Sequence, residues 1–130
     1  MILDTSAVVA VARRERGYQP IADALDAAPE LEIGAPTLFE AAMVLQSRAG
    51  ERGPEALSNL LAENGVVTVQ FDEEHSKLAL DAFTRFGKGR HPAQLNYGDC
   101  MTYATARLAG RPLLCVGGDF AKTDLPLALA

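Results

Sequence analysis

The chain opens with the stretch Ile2-Leu3-Asp4-Thr5-Ser6-Ala7, in which two apolar residues precede one acid and two hydroxyl residues. The run Met1–Leu3 has the length and composition of a short strand, whereas Thr5–Arg14 carries apolar residues at the three- and four-residue spacing of a helix. We therefore predict a β-strand that leads through Asp4 into a helix.

The alternation of strand and helix continues along the chain. Short apolar runs rich in Val, Ile and Leu lie at Met1–Leu3, Leu31–Ala35, Val66–Phe71 and Leu113–Val116. Segments with helical spacing lie at Thr5–Arg14, Tyr18–Ala28, Thr37–Arg48, Pro54–Asn64, Glu73–Phe86 and Asp99–Ala109. Because the strands do not alternate apolar with polar residues, and parallel strands need long crossovers, we predict an α/β fold with a central parallel sheet flanked by helices.

Composition limits the class of protein. The 130 residues are 48% apolar and 22% charged, without an internal repeat or a linker, so we expect residues 1–130 to form one domain rather than a disordered tail. The net charge of −5 is opposite to that of a simple nucleic-acid binder. The longest apolar run, Ala7 to Ala12, is too short to span a bilayer, and we expect a soluble cytoplasmic protein without membrane contact.

Four acids are predicted to lie at one edge of the sheet. Asp4 and Asp119 come after predicted strands, and Glu40 and Asp99 lie near the starts of predicted helices. In parallel α/β sheets, ligands bind beyond the carboxyl ends of the strands, which is the edge that these acids share.

A cluster of carboxylates stays ionised only with a compensating cation. Since no His or Cys stands at ligand spacing, the donors are oxygens, which favours Mg²⁺ or Mn²⁺ and the hydrolysis of a phosphodiester by an activated water. Each acid also has a structural interpretation: Asp4 as a helix cap, Asp99 as a first-turn acid and Asp119 as part of a Gly-Gly-Asp turn. Glu40 is harder to explain in this way, because its segment is otherwise nearly all apolar.

At these residues the sequence resembles the PIN-domain ribonucleases, and more narrowly the VapC-type toxins of bacterial toxin-antitoxin pairs. The resemblance covers essentially the whole chain. Its segments are Ile2-Leu3-Asp4-Thr5-Ser6-Ala7, Pro36-Thr37-Leu38-Phe39-Glu40-Ala41, the most specific stretch Phe86 to Cys100, and Pro112 to Phe120 with Thr123-Asp124-Leu125.

The resemblance implies Mg²⁺-dependent endonucleolytic cleavage of RNA and a five-stranded parallel sheet with a short last strand near Asp124-Leu125. By position, Asp4 and Asp99 match direct metal ligands, and Glu40 matches a ligand through water or a water-activating base. Asp119 matches the fourth acid of the family site. The sequence departs from many PIN domains at Gly117, where they carry another acid, so this loop holds fewer ligands for a second metal ion.

Candidate substrate contacts lie on both sides of these acids. Thr5 or Ser6 could orient a carboxylate or a water, although helix capping explains either hydroxyl equally well. Arg85, Lys88 and Arg90 form a basic stretch before Asp99 that could meet RNA phosphates, or could be a solvated loop.

Partners also follow from the resemblance. Such toxins act as homodimers and are silenced by an antitoxin whose tail reaches the active site. We expect helices Thr37–Arg48 and Pro54–Asn64 to line the antitoxin groove. An antitoxin arginine that displaces the metal ion would suit an acidic cleft.

Two other functions remain open from the sequence. One is a PIN-fold binding module without catalysis. The other is a phosphatase of the haloacid-dehalogenase type, which needs a second acid two residues after Asp4, where this chain has Ser6. His75, among Glu73, Glu74 and Lys77, is predicted to lie on the surface.

Overall fold

A computed structural model describes residues 1–129. Strands alternate with helices as predicted, in the order β1 Ile2–Leu3, α1 Thr5–Arg13, α2 Gln19–Ala27, β2 Glu32–Gly34, α3 Ala35–Ala49, α4 Arg52–Glu63, β3 Val67–Val69, α5 Glu73–Phe86, α6 Tyr97–Ala109 and β4 Leu113–Leu114. A 3₁₀ turn follows at Phe120–Lys122.

The strands form one parallel sheet in the order β3-β2-β1-β4. Ile2 pairs with Glu32 on one side and with Leu113 on the other, so β1 is a central strand. The chain leaves β1 toward β2 on one side, and β4 later joins on the other side. Asp4 therefore lies at the point where the strand order reverses, which is the usual ligand-binding position of an open α/β sheet.

The predicted fifth strand is not formed within residues 1–129. Near its expected position, a single parallel bridge joins Leu127 to Leu113 instead. Leu113 N–H donates to the carbonyl of Pro126, and Ala128 N–H donates to the carbonyl of Leu113. The segment is thus held at the sheet edge two residues beyond the predicted place, with too few ladder hydrogen bonds to make a strand.

Helices cover both faces of the sheet because successive strand side chains point in opposite directions. Leu3 and Leu114 enter a core with α1 to α4, whereas Ile2 and Leu113 enter a second core with α5 and α6. All four side chains are almost completely buried. No helix among residues 1–129 combines the length and apolar character that crossing a membrane requires.

His75 is not on the surface, contrary to the prediction. The residue is 4% exposed, and its ring lies 5.2 Å from the Phe71 ring, centroid to centroid. It is the third residue of α5, where it forms a capping box with Asp72. The charged neighbours in sequence point elsewhere, so their presence did not indicate the exposure of His75.

Candidate active site

Three of the predicted acids line one cleft at the carboxyl ends of the strands. Asp4 directly follows β1, Glu40 lies on α3 after β2, and Asp99 lies in the first turn of α6. The cleft has a volume of about 370 Å³. It is lined by Asp4, Thr5, Ser6, Val9, Glu15, Glu40, Val44, Arg48, Asp99 and Val116.

Asp4 both caps helix α1 and lines the cleft. It is 6% exposed and caps α1, with Oδ2 accepting from Ser6 N–H at 3.1 Å and from Ser6 Oγ at 2.5 Å. Ser6 Oγ in turn accepts from Val116 N–H at 2.9 Å. Ser6 therefore joins the acid after β1 to the loop after β4, which leads to Asp119.

Glu40 is held from two sides. Thr5 Oγ1 donates to its Oε1 at 2.5 Å, which ties α3 to the start of α1. On the other side is Gly98 of α6, where an added Cβ atom would lie 2.5 Å from Glu40 Oε2. Only a residue without a side chain lets the first turn of α6 approach the Glu40 carboxylate this closely.

Asp99 takes part in a capping box with Asn96. Asn96 Oδ1 accepts from Asp99 N–H at 2.9 Å, and Asp99 Oδ2 accepts from Asn96 N–H at 3.1 Å. Burial is the largest influence on the Asp99 carboxyl, and the charges of Asp4, Glu40 and Asp119 add to it. These influences outweigh the Asn96 hydrogen bond and raise the pKa of Asp99 to about 6.

Each of these three acids has one oxygen in a hydrogen bond and one without. Within residues 1–129, Asp4 Oδ1, Glu40 Oε2 and Asp99 Oδ1 have no hydrogen-bonding partner in the protein. In the same range, no three acidic, His or Cys side chains already converge at ligand distance. The arrangement therefore offers separate oxygen donors around a cleft rather than a closed metal cage.

Asp119 is near this group but less enclosed. Its side chain is exposed, immediately before the 3₁₀ turn, and it does not line the cleft. Its charge nevertheless contributes to the raised pKa of Asp99, as the smallest of the three neighbouring charges.

The predicted basic stretch does not reach the cleft. Arg85 donates to Asp124 at 2.9 Å and to Asp81 at 3.3 Å, and the Arg90 guanidinium lies 5.0 Å from the Phe83 ring centroid. Neither these arginines nor Lys88 lines the cleft. The structure thus brings Thr5 and Ser6 to the acids but leaves the three basic residues outside.

Sequence reasoning missed several residues of the cleft. Glu40, Val44 and Arg48 stand four residues apart, so the helical period could have placed Arg48 on the face of Glu40. Glu15 carried no comparable signal, because it lies in the turn after α1 and meets Arg48 only through the tertiary fold.

Comparisons with known proteins agree with this architecture. The PIN domain family pattern matches residues 1–125. Ribonuclease VapC36 of Mycobacterium tuberculosis is 48% identical over 126 residues, which cover 96% of this chain and 91% of that protein.

Two solved structures share the fold at low sequence identity. The crystal structure of VapC20 from M. tuberculosis, described as a sarcin-ricin loop cleaving toxin, has a TM-score of 0.78 at 17% identity, and the match covers 95% of both chains. A toxin-antitoxin complex from Klebsiella pneumoniae has a TM-score of 0.70 at 18% identity, with 95% of this chain and 92% of that chain covered.

Proposed function

The chain belongs to the PIN domain family and, within it, to the VapC ribonucleases, and we propose that it is the toxin of a toxin-antitoxin pair that hydrolyses RNA with a carboxylate-held Mg²⁺ or Mn²⁺ ion. The observation that carries the metal dependence is the cleft with Asp4, Glu40 and Asp99. Each acid has one fixed and one free oxygen, and the pKa of Asp99 is raised to about 6. Burial and the neighbouring carboxylates raise this pKa, and a bound cation would offset both influences.

The donor set fits a hard divalent cation. The donors are carboxylate and hydroxyl oxygens, and Mg²⁺ usually keeps several waters while it takes only one or two protein carboxylates. Asp4 and Asp99 would hold the ion directly, and Glu40 and Asp119 would hold it through water. The absence of three converging side chains within residues 1–129 is compatible with this loose mode of binding.

The residues of the chain would divide the work of hydrolysis. When bound, the cation supplies positive charge that lowers the pKa of water and offsets charge on the phosphate. Glu40, oriented by Thr5, would accept a proton from the attacking water as its oxygen bonds to phosphorus. Ser6 would fix Asp4 through its hydroxyl. The departing oxygen would be protonated from solvent at the open side of the cleft.

We also propose that an antitoxin neutralises the chain. Relatives named VapC and the toxin-antitoxin complex from K. pneumoniae support such a partner. Helices α3 and α4, which we expect to line the antitoxin groove, pack closely, since a Cβ at Gly53 would lie 2.3 Å from the Leu45 carbonyl oxygen. An open cleft of about 500 Å³ lies beside α4, between it and the α1–α2 pair.

We also propose a homodimer, which is supported by exposed apolar side chains on three helices. Large apolar side chains are exposed at Phe39 and Met43 of α3, Leu80 and Phe83 of α5, and Tyr97 of α6. Leu80, Phe83 and Tyr97 line one apolar pocket between α5 and α6, and a second copy of the chain would cover exposed apolar surface of this kind. Sedimentation of the purified chain tests this, and a monomer at micromolar concentration would contradict it.

Cleavage of a defined RNA pool tests the proposed function. The purified chain, freed of any antitoxin, is expected to cut RNA with Mg²⁺ or Mn²⁺ and not with EDTA. Glu40→Gln should abolish cleavage, whereas Glu55→Gln on the exposed side of α4 should retain it. Failure to cleave, together with no Mn²⁺ binding by calorimetry, would overturn the proposal in favour of an inert binding module.

A further inference from the structure

The cleft that contains the carboxylates has a second, basic end. Arg48 lies on α3 two helical turns beyond Glu40, with Val44 between them, and all three line the cleft. Eight residues along a helix correspond to about 12 Å. The backbone positions of Glu40 and Arg48 are therefore separated by more than the size of one phosphate group.

Arg48 is loosely held in this position. Its Nη1 donates to Glu15 Oε2 at 3.3 Å, and the side chains of Arg48 and Glu15 are 49% and 41% exposed. Ion pairs this exposed contribute little, so a better anion can replace Glu15. If Arg48 moved to another anion, Glu15 would still have a cationic partner, because Arg13 Nε also lies 3.9 Å from Glu15 Oε2.

The distribution of charge in the cleft favours the binding of an anion at Arg48. Among residues 1–129, Arg48 is the one basic side chain that lines the cleft, against four acids. An RNA strand that brings a phosphate to the acidic end is repelled there. A neighbouring phosphate would therefore be stabilised most by a cation further along the cleft. The planar guanidinium can donate two hydrogen bonds to one phosphate.

We propose that Arg48 binds an RNA phosphate beyond the one that is cleaved, and that Glu15 holds Arg48 in place while the cleft is empty. This inference rests on the proposed ribonuclease function and adds a substrate-positioning residue to it. Binding of RNA exchanges the Glu15 contact for a phosphate contact.

Binding of a labelled single-stranded RNA 12-mer of mixed sequence tests the proposal by fluorescence anisotropy. Measurements in an Asp99→Asn background without added metal keep binding apart from cleavage. We expect Arg48→Ala to weaken binding about five- to tenfold and to reduce the salt dependence, log K against log salt, by about 0.7. Arg52→Ala is the matched control, since Arg52 is exposed at the start of α4 and does not line the cleft.

Glu15→Gln separates a substrate contact from a structural ion pair. If Glu15 competes with phosphate for Arg48, the Gln variant should bind the same RNA about twofold more tightly or better. A purely structural pair predicts weaker or unchanged binding in both variants, together with equal losses in thermal stability. Arg48→Lys should keep the salt dependence while it loses affinity, because one charge remains without the planar fork.

The proposal would be overturned if Arg48→Ala and Arg52→Ala bound RNA with equal affinity and salt dependence. It would also be overturned if the Asp99→Asn protein without further changes showed no detectable RNA binding at 50 mM salt. Unchanged RNA binding with weaker neutralisation by an antitoxin would assign Arg48 to a protein contact instead. Cleavage assays with Asp99 restored test the proposed function separately. A chain that binds RNA through Arg48 but cuts none with Mg²⁺ or Mn²⁺ would contradict only that function.

Discussion

The two ends of helix α6 hold acids in opposite electrostatic environments. At its start, burial and then the charges of Asp4, Glu40 and Asp119 raise the pKa of Asp99 to about 6. Further along, Tyr103 and Arg107 donate to Asp124, which also accepts from Arg85.

The pKa of Asp124 moves the other way. Burial acts to raise it, but the hydrogen bonds from Tyr103 and Arg85 and the charges of Arg107 and Arg85 outweigh burial and lower it. Asp124 thus has its cations within the chain and fastens the C-terminal segment to α5 and α6. Asp99 has no such partner among residues 1–129, and we propose that a cation binds at its end of the helix.

Replacing each of the two acids by its amide should have the largest effect and should separate their roles most clearly. Asp99→Asn removes a proposed metal ligand, and we expect the cleavage rate to fall on the order of a thousandfold, since metal charge stabilisation is worth several kcal/mol. Asp124→Asn, the matched change in the C-terminal segment that packs on α6, should leave the rate per folded molecule nearly unchanged and reduce the free energy of unfolding by about 1 kcal/mol. Single-turnover cleavage and urea unfolding measure both; equal losses of activity would contradict the distinction.

Adding one methyl group at the acidic end should have the next largest effect. In Gly98→Ala, the new Cβ would displace the Glu40 carboxylate, the far end of a flexible side chain, so stability should change little. Cleavage should fall about a hundredfold, because a displacement of about 1 Å can cost that much.

Gly53→Ala provides the control for this substitution. Its Cβ would meet the Leu45 backbone, which cannot move aside easily, so this variant should lose stability and keep its activity per folded molecule. Thermal unfolding and cleavage kinetics distinguish the two variants. Retained activity in Gly98→Ala would show that the position of Glu40 is not critical.

Removing the Ser6 hydroxyl should have a smaller effect. Ser6→Ala breaks the hydrogen bonds to Asp4 and from Val116, and support of a metal ligand by a second residue is typically worth about tenfold or more in metal affinity. We expect Mn²⁺ binding measured by calorimetry to weaken about tenfold. Thr84→Ala, which removes a hydroxyl bound to the Leu80 carbonyl within α5, should leave it unchanged. Ser6→Thr should restore binding, and failure to do so would indicate a packing role.

Local sequence patterns were sufficient to predict the sheet edge. An acid directly after a buried strand predicted the position of Asp4, and the apolar surroundings of Glu40 singled it out before any fold was known. The alternation of strands and helices then placed Asp99 at the same edge. Helix boundaries were less certain: α3 begins at Ala35 rather than Thr37, because Pro36 fits the first turn.

Features that depend on how helices meet were not predictable in the same way. The need for Gly98, for example, arises from the approach of α6 to α3. From its charge and its proximity in sequence to Asp99, Arg85 was a candidate for a phosphate contact, with a solvated loop as the alternative. In the fold its guanidinium belongs to the Asp124 network, which lies further along α6.

Asp99 and Asp124 should contribute to the pH dependence of the free energy of unfolding with opposite signs. In metal-free protein, the pKa of Asp99 rises from 3.8 to about 6 on folding, so the folded state binds more protons between these values and loses stability as pH rises through them. The folded pKa of Asp124 is lowered, so its contribution is present above pH 3.8 and is lost as pH falls through the folded value.

Urea unfolding in EDTA from pH 4 to 8 measures this difference. Relative to the parent, Asp99→Asn should gain about 1–2 kcal/mol of stability between pH 4 and pH 7, a value reduced for the partial exposure of the carboxyl. The deficit of Asp124→Asn should stay constant from pH 5 to 8, where both states of Asp124 are ionised, and begin to close at pH 4. A gap between the parent and Asp99→Asn that does not vary with pH would contradict the raised pKa. Added Mn²⁺ should reverse that gap in favour of the parent, because only the parent retains the full set of carboxylates that a cation stabilises.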